Sequence, residues 1–121
     1  MAIWNRRMSE RRGEAQRATL TIINTLGIHL RPAQLIAQRA SSFSDCEVAA
    51  SKAETRVNAK SIMGLTELVG ACGDQIVFEV RGPQAAECLD GLRQLFAEGF
   101  GEEIAAEFLS PASRREAEES G

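Results

Sequence analysis

Between residues 75 and 99, a strand pattern is followed at once by a long amphipathic helix pattern, and this most constrains the fold of the chain. Apolar and polar residues alternate over 75–80, which predicts a half-buried strand. Gly82-Pro83 then signals a helix start. From residue 84 to 99 the apolar spacing is that of a single helix face. Its members are Ala85, Cys88, Leu89, Leu92, Leu95 and Phe96.

The rest of the chain repeats this alternation on a smaller scale. In chain order, the further predicted elements are a strand over 19–23, a helix over 32–43, strands over 47–50 and 54–58, and a helix over 62–69. Ser61 precedes the last of these helices and is a good N-cap residue. Strands that are covered by helices on one face predict an α+β fold, a two-layer open-faced sandwich with a mainly antiparallel sheet.

Charge is concentrated at the two ends of the chain. Residues 1–17 carry a net charge of +3 and residues 98–121 a net charge of −5, whereas the middle is nearly neutral. We therefore expect a basic, disordered N-terminal extension over 1–17, a compact domain over 18–102, and an acidic, mobile C-terminal extension over 103–121. Met8 is a second candidate for the first residue.

Composition excludes several classes of function. Aromatic residues make up 5% of the chain and the middle has no basic stripe, so we expect no nucleic-acid partner. Cys46, Cys72 and Cys88 form no C-x-x-C pair and no metal-ligand spacing, which predicts reduced thiols, no metal and no cofactor. No apolar run approaches the roughly 18 residues of a membrane span. We expect a cytoplasmic protein without membrane insertion.

The stretch GIHLRPA at residues 27–33 contains the only histidine of the chain. Pro32 is expected at the first helical position, with the following N–H groups forming an anion site at the positive helix end. That helix end favours a neutral imidazole on His29, which is a nucleophile. A phosphoryl group on this ring would meet the N–H donors and Arg31. Alternatively, His29 is a structural residue at a helix start.

Four stretches together resemble the HPr family of phosphocarrier proteins of the bacterial phosphoenolpyruvate-dependent phosphotransferase system. They are GIHLRPA at 27–33, VNAKSIMGL at 57–65, Gly73-Asp74, and residues 92–102 ending in FGE. They occur in the order and spacing of the family over about residues 18–102. The resemblance implies a four-stranded antiparallel sheet covered by three helices, in the order βαββαβα.

The resemblance also implies roles for particular residues. His29 matches the histidine that is phosphorylated by Enzyme I and then donates to a sugar-specific acceptor of the Enzyme IIA type. Arg31 matches the arginine that steadies the phosphoryl group. Ser61 matches the serine that HPr kinase/phosphorylase modifies in many relatives, and Ile62 and Met63 match an apolar partner-binding patch. Such a protein is a stoichiometric carrier rather than an enzyme, and we expect a monomer.

Two departures from the family pattern keep alternatives open. Leu30 stands where relatives commonly have a small or hydroxyl residue, and Arg39 is the only basic residue between Ala33 and Phe43. Because acceptors dock partly through charge, the partner is not fixed by the sequence. One alternative is a regulatory paralogue in a nitrogen-related phosphorelay or a protein-binding switch. Another is a small structural or ligand-binding module in which His29 only begins a helix.

Overall fold

The protein is described here by a computed structural model, which covers residues 15–109. Its elements are β1 (Gln16–Thr21), α1 (Leu30–Ser41), β2 (Glu47–Lys52), β3 (Thr55–Asn58), α2 (Ile62–Glu67), β4 (Gln75–Arg81) and α3 (Ala85–Ala97). The four strands form an antiparallel sheet in the order β1-β4-β2-β3, with three helices packed on it. The predicted α+β fold is confirmed. The outer parts of the predicted extensions, residues 1–14 and 110–121, lie outside the described residues.

The core lies between the sheet and the apolar faces of α1 and α3. Ile76, Phe78 and Val80 of β4 are buried in it, and the ring of Phe78 meets Phe96 edge-on with 5.5 Å between their centroids. Burial of such apolar surface is the main favourable term in folding. Cys88 lies in this core, where burial raises the pKa of its thiol to about 11, so the thiol stays protonated at neutral pH. Over residues 15–109 no helix is both long enough and apolar enough to span a bilayer.

Strand β1 begins three residues earlier than the alternation predicts, at Gln16. Arg17 faces Glu79 of β4 across the ladder, and its Nε donates to Glu79 Oε2 at 2.9 Å. Arg56 of β3 donates to the other oxygen of the same carboxylate at 2.7 Å. The start of the strand therefore carries charged and polar residues instead of an apolar alternation. Two residues of the predicted N-terminal extension belong to the sheet.

Helix α1 begins at Leu30 rather than at Pro32, and His29 is its N-cap residue. The first intrahelical hydrogen bond runs from the Ala33 N–H to the His29 carbonyl, at 3.1 Å. Pro32 occupies the third helical position, where its missing N–H is equally harmless because the first N–H groups of a helix have no intrahelical acceptor. The helix ends at Ser41, two residues before the predicted end.

The chain beyond residue 102 does not leave the domain immediately. The Thr25 N–H donates to the Glu103 carbonyl at 3.0 Å, and the Ala105 N–H donates to the Ile23 carbonyl at 2.9 Å. An antiparallel bridge between Asn24 and Ile104 lies between these two bonds. The first residues of the predicted C-terminal extension are thus hydrogen-bonded to the segment that leads to His29.

Candidate functional site

A tight loop at Gly27 and Ile28 precedes His29 and the start of α1. Gly27 has φ +71°, a left-handed conformation that favours glycine, and a Cβ on it would lie 2.4 Å from the Gly70 carbonyl oxygen. The Ile28 N–H donates to that same oxygen at 2.9 Å, and the Ile28 side chain is buried. The backbone on the N-terminal side of His29 is therefore fixed against the chain that follows α2.

The imidazole of His29 is held by a carboxylate. Its Nε2 lies 2.7 Å from Oε2 and 2.9 Å from Oε1 of Glu102, and 39% of the side chain is exposed. Because an ionised carboxylate only accepts hydrogen bonds, Nε2 is assigned the proton. In the neutral ring Nδ1 then carries the free lone pair. His29 makes no side-chain capping bond to α1, so this nitrogen is not used by the helix.

Glu102 reaches the histidine from the other end of the domain. After α3 the chain turns through residues 99–101, which all have positive φ. Phe100 is held in this conformation by burial, with its ring 4.8 Å from that of Phe96. Burial of Glu102 raises its pKa, but hydrogen bonds from His29 and Asn24 and the charge of Arg31 bring the pKa of Glu102 below its usual range.

Asn24 connects the carboxylate to the loop. Its side chain is fully buried, and Nδ2 donates to Glu102 Oε1 at 3.0 Å and to the Gly27 carbonyl at 2.8 Å. Oδ1 has no hydrogen-bond partner among the described residues. A buried amide with two directed donors fixes the two groups that it joins. Asn24 therefore ties Glu102 to the turn before His29.

Arg31 lies at the second position of α1 and is exposed. Within the described part of the chain it makes no hydrogen bond, and its recorded interaction is the charge that it contributes at Glu102. Its guanidinium is thus available to a ligand at the helix start. The sequence placed only the helix end beside the imidazole, whereas the structure also places the Glu102 carboxylate against it.

Ser61 and its two neighbours lie at the start of α2. Ser61 is the N-cap residue, and its Oγ accepts a hydrogen bond from the Gly64 N–H at 3.0 Å, as the sequence predicted for an N-cap. Ile62 and Met63 follow on the first turn, and 75% of Met63 is exposed. Helices α1 and α2 pack against each other, and Leu30 of α1 also presents an exposed apolar side chain.

Sequence reasoning did not assign Glu102 and Asn24 to the site. Residues 99–102 were part of the family resemblance, and a glycine on each side of Phe100 signals a sharp turn. Nothing local indicates that the carboxylate after this turn meets a histidine far back in the chain. Asn24 reads as an ordinary turn residue. Over residues 15–109 no group of three or more His, Cys, Asp or Glu side chains is arranged to hold a metal ion.

Comparison with known proteins places this geometry in a family. The family model described as PTS HPr component phosphorylation site matches residues 16–98. The chain is 40% identical over 85 residues to phosphocarrier protein HPr of Treponema pallidum, covering 70% of this chain and 96% of that protein. It is also 40% identical over 86 residues to phosphocarrier protein NPr of Escherichia coli, covering 70% of this chain and 94% of that protein.

A solved structure agrees with these sequence relatives. The crystal structure of HPr from Thermoanaerobacter tengcongensis superimposes with a TM-score of 0.70 at 37% identity, covering 74% of this chain and 99% of that chain. The fold is an open-faced sandwich with a partly exposed histidine at a helix start, and the relatives named above are phosphocarrier proteins. The chain belongs to the HPr family of phosphocarrier proteins of the phosphotransferase system.

Proposed function

We propose that this chain carries a phosphoryl group on Nδ1 of His29, accepts it from phosphorylated Enzyme I, and donates it to a sugar-specific acceptor of the Enzyme IIA type. The observation that carries the proposal is that the two ring nitrogens of His29 have different partners. Nε2 is paired with Glu102, whereas Nδ1 is free on a partly exposed ring at the start of α1. A nucleophilic lone pair and helix N–H donors then lie at one place.

The transfer step follows from this arrangement. The Nδ1 lone pair attacks the phosphorus atom, an N–P bond forms, and the bond from phosphorus to the donor breaks with its electron pair leaving on the donor. The N–H groups of Leu30 and Arg31 precede the first intrahelical hydrogen bond and can donate to phosphoryl oxygens. The Arg31 guanidinium adds a charge that suits phosphate oxygens. Donation to the acceptor is the same step in reverse.

Ser61 is the second residue proposed to carry a phosphoryl group, placed there by an ATP-dependent HPr kinase/phosphorylase. Its oxygen already faces the start of a helix, so the added phosphate retains an accepting atom at the cap. The phosphate brings up to about two negative charges next to Ile62 and Met63. A partner that docks on these exposed apolar side chains would be repelled. Incubation with the kinase and ATP should modify the chain but not Ser61→Ala.

A regulatory paralogue is the second candidate. It has the same chemistry at His29, but its output is a phosphorelay or a protein-binding switch outside sugar transport. The chain has the same percentage identity to the protein named NPr as to the HPr of Treponema pallidum, 40% in each case, which supports this candidate. Acceptors from both branches, offered to the phosphorylated protein, distinguish the two. Transfer to a sugar-specific acceptor supports the first, and transfer only to a regulatory acceptor supports the second.

The test of carriage is incubation with phosphoenolpyruvate and Enzyme I, read by intact mass before and after mild acid. We expect one added phosphoryl group that acid removes. His29→Ala should gain none while its circular dichroism spectrum stays native, because a partly exposed ring contributes little to the core. Ser61→Ala is the matched control and should be modified like the parent. A phosphoryl group that persists in His29→Ala would contradict the assignment.

A further inference from the structure

We propose that Glu102 is a positioning residue for His29 and that residues 102–105 form a C-terminal brace that holds it in place. This inference rests on the proposed function, because it concerns the same ring. It adds to the phosphoryl-carrying residues a carboxylate that lies beyond residue 98, where the match to the family model ends. Glu102 touches neither the attacking nitrogen nor the phosphorus, so its effect passes through the imidazole.

The first observation is that the Glu102 carboxylate contacts both His29 and Asn24. Both of its oxygens lie within 2.9 Å of His29 Nε2, and Oε1 also accepts a bond from Asn24 at 3.0 Å. Asn24 is fully buried and bonds back to the Gly27 carbonyl. The ring, the carboxylate and the loop are therefore joined in one hydrogen-bonded chain. Such a partner fixes both the tautomer and the orientation of an imidazole.

The second observation is the backbone ladder of the brace. The Thr25–Glu103 and Ala105–Ile23 hydrogen bonds lie on either side of the Asn24–Ile104 bridge. Together they hold the two groups that contact each other, Asn24 and Glu102, at a fixed separation. The turn before the brace is equally constrained, because a Cβ on Gly99 would lie 2.9 Å from Ile104 Cγ1. Glu102 is thus held by backbone on both sides.

The third step is chemical. Once Nδ1 has bonded to phosphorus, the ring still carries its proton on Nε2 and bears a positive charge. Glu102 already lies at hydrogen-bond distance from Nε2, and its ionised carboxylate can accept the hydrogen bond from that N–H. A charge-assisted hydrogen bond is stronger than a neutral one, so the carboxylate stabilises the phosphorylated ring more than the free neutral ring. Glu102 therefore favours net acceptance of the phosphoryl group.

Two substitutions in the full-length protein distinguish the effect of Glu102 on the orientation of the His29 ring from the effect of its negative charge. In Glu102→Gln the amide oxygen can still accept from Nε2 but carries no charge. We expect the equilibrium constant for phosphoryl transfer from Enzyme I to fall by about tenfold, with the Nε2–H tautomer retained. Glu102→Ala removes both the negative charge and the oxygen that accepts from Nε2. We therefore expect nitrogen-15 NMR to show a mixture of His29 tautomers. Glu98→Gln removes the same charge from an exposed residue outside the brace and should change neither readout.

The brace is tested at Ala105, whose φ of −61° already suits proline. Ala105→Pro removes the N–H that donates to Ile23 and should shift the tautomer ratio toward that of Glu102→Ala. Ala105→Gly keeps the N–H and is the matched control. Native circular dichroism of each variant shows that the domain is folded.

The NMR readout uses the unphosphorylated protein, so it tests the brace even if Enzyme I transfers nothing to the parent. Absence of transfer to the parent contradicts the proposed function alone. A Glu102→Ala variant with the tautomer ratio and the transfer equilibrium of the parent overturns the positioning role. An Ala105→Pro variant that matches Ala105→Gly overturns the brace.

Discussion

The two residues proposed to carry a phosphoryl group, His29 and Ser61, are both helix N-cap residues, but only one of them caps its helix with its side chain. Ser61 uses its side chain to cap α2, through the bond from Gly64. His29 makes no capping bond to α1, and its side chain is turned to Glu102 instead. Both residues have extended backbone angles, so the difference lies in the side chains alone.

This difference means that the Ser61 side chain contributes to the stability of its helix, whereas the His29 side chain does not. A side chain that satisfies the first N–H groups of a helix stabilises that helix by about 1 kcal/mol. The start of α1 lacks this contribution, so no capping side chain occupies the N–H groups of its first turn. The start of α2 retains it, and α2 has only six residues and needs the cap more. The following predictions test this contrast, beginning with the largest effect.

The start of α1 depends on a glycine, for which the start of α2 has no counterpart. We expect Gly27→Ala to lower the free energy of unfolding by about 3 kcal/mol, because the new Cβ would overlap the Gly70 carbonyl oxygen at positive φ. Gly73→Ala is the matched control, since it also has positive φ but no atom within 4 Å of its Cβ. It should cost about 1 kcal/mol. Urea unfolding measures both, and equal losses would show that the contact with Gly70 is unimportant.

Removing the cap of α2 should have a smaller effect. Ser61→Ala loses the acceptor for the Gly64 N–H and should lower the free energy of unfolding by about 1 kcal/mol. Ser61→Thr keeps a hydroxyl and should recover most of this loss. Chemical denaturation at neutral pH provides the comparison. An unchanged midpoint in Ser61→Ala would mean that the hydroxyl does not act as a cap.

The two helix starts should also differ in their response to acid. Because the pKa of Glu102 is lowered by folding, its contribution to stability is present above its ordinary value near 4.5 and is lost as the pH falls through the folded value. We expect Glu102→Gln to be less stable than the parent by about 0.5–1 kcal/mol at pH 7, with the difference shrinking as the pH falls below the ordinary value of the carboxyl group. The cost of Ser61→Ala should stay constant over this range. Urea unfolding at pH 7 and pH 3 distinguishes the two patterns.

The smallest effect is a gain in stability at the carrier residue itself. His29→Ser abolishes phosphoryl carriage but places a capping hydroxyl at the start of α1, so it should be more stable than His29→Ala by about 0.5 kcal/mol. The comparison between the two variants cancels the loss of the contact with Glu102. Paired thermal and urea unfolding curves are sensitive enough to resolve it. A His29→Ala variant that is equally stable would show that α1 is already capped in another way.

The sequence predicted those parts of the fold that repeat with a local period. The stripe of α3 and the alternation of β4 gave the correct elements, and Ser61 was correctly expected as an N-cap. The start of β1 was missed because Arg17 makes a cross-strand ion pair with Glu79 that no alternation shows. Pro32 and the apolar spacing after it predicted a helix start beside His29 and Arg31, but the helix begins two residues earlier than predicted.

The part of the site that the sequence could not predict is held by contacts between distant residues. Glu102 and Asn24 are 78 residues apart, and neither has a neighbour in sequence that indicates the other. The packing of the turn at residues 99–101 against the core, together with the backbone hydrogen bonds between residues 23–25 and 103–105, brings them together. Local pattern therefore identifies the histidine proposed to carry the phosphoryl group, whereas its carboxylate partner is visible only in the tertiary structure.

The separation of 73 residues between His29 and Glu102 has a consequence for synthesis of the protein. A growing chain exposes its histidine early, when the carboxylate and the segment after it have not yet been made. The ring can contact this carboxylate only after α3 and the turn that follows it have been made and have packed against the core. A nascent or truncated chain that ends before Glu102 would therefore bear His29 without its carboxylate partner. The contact between the two side chains forms only in a chain that has been made through Glu102.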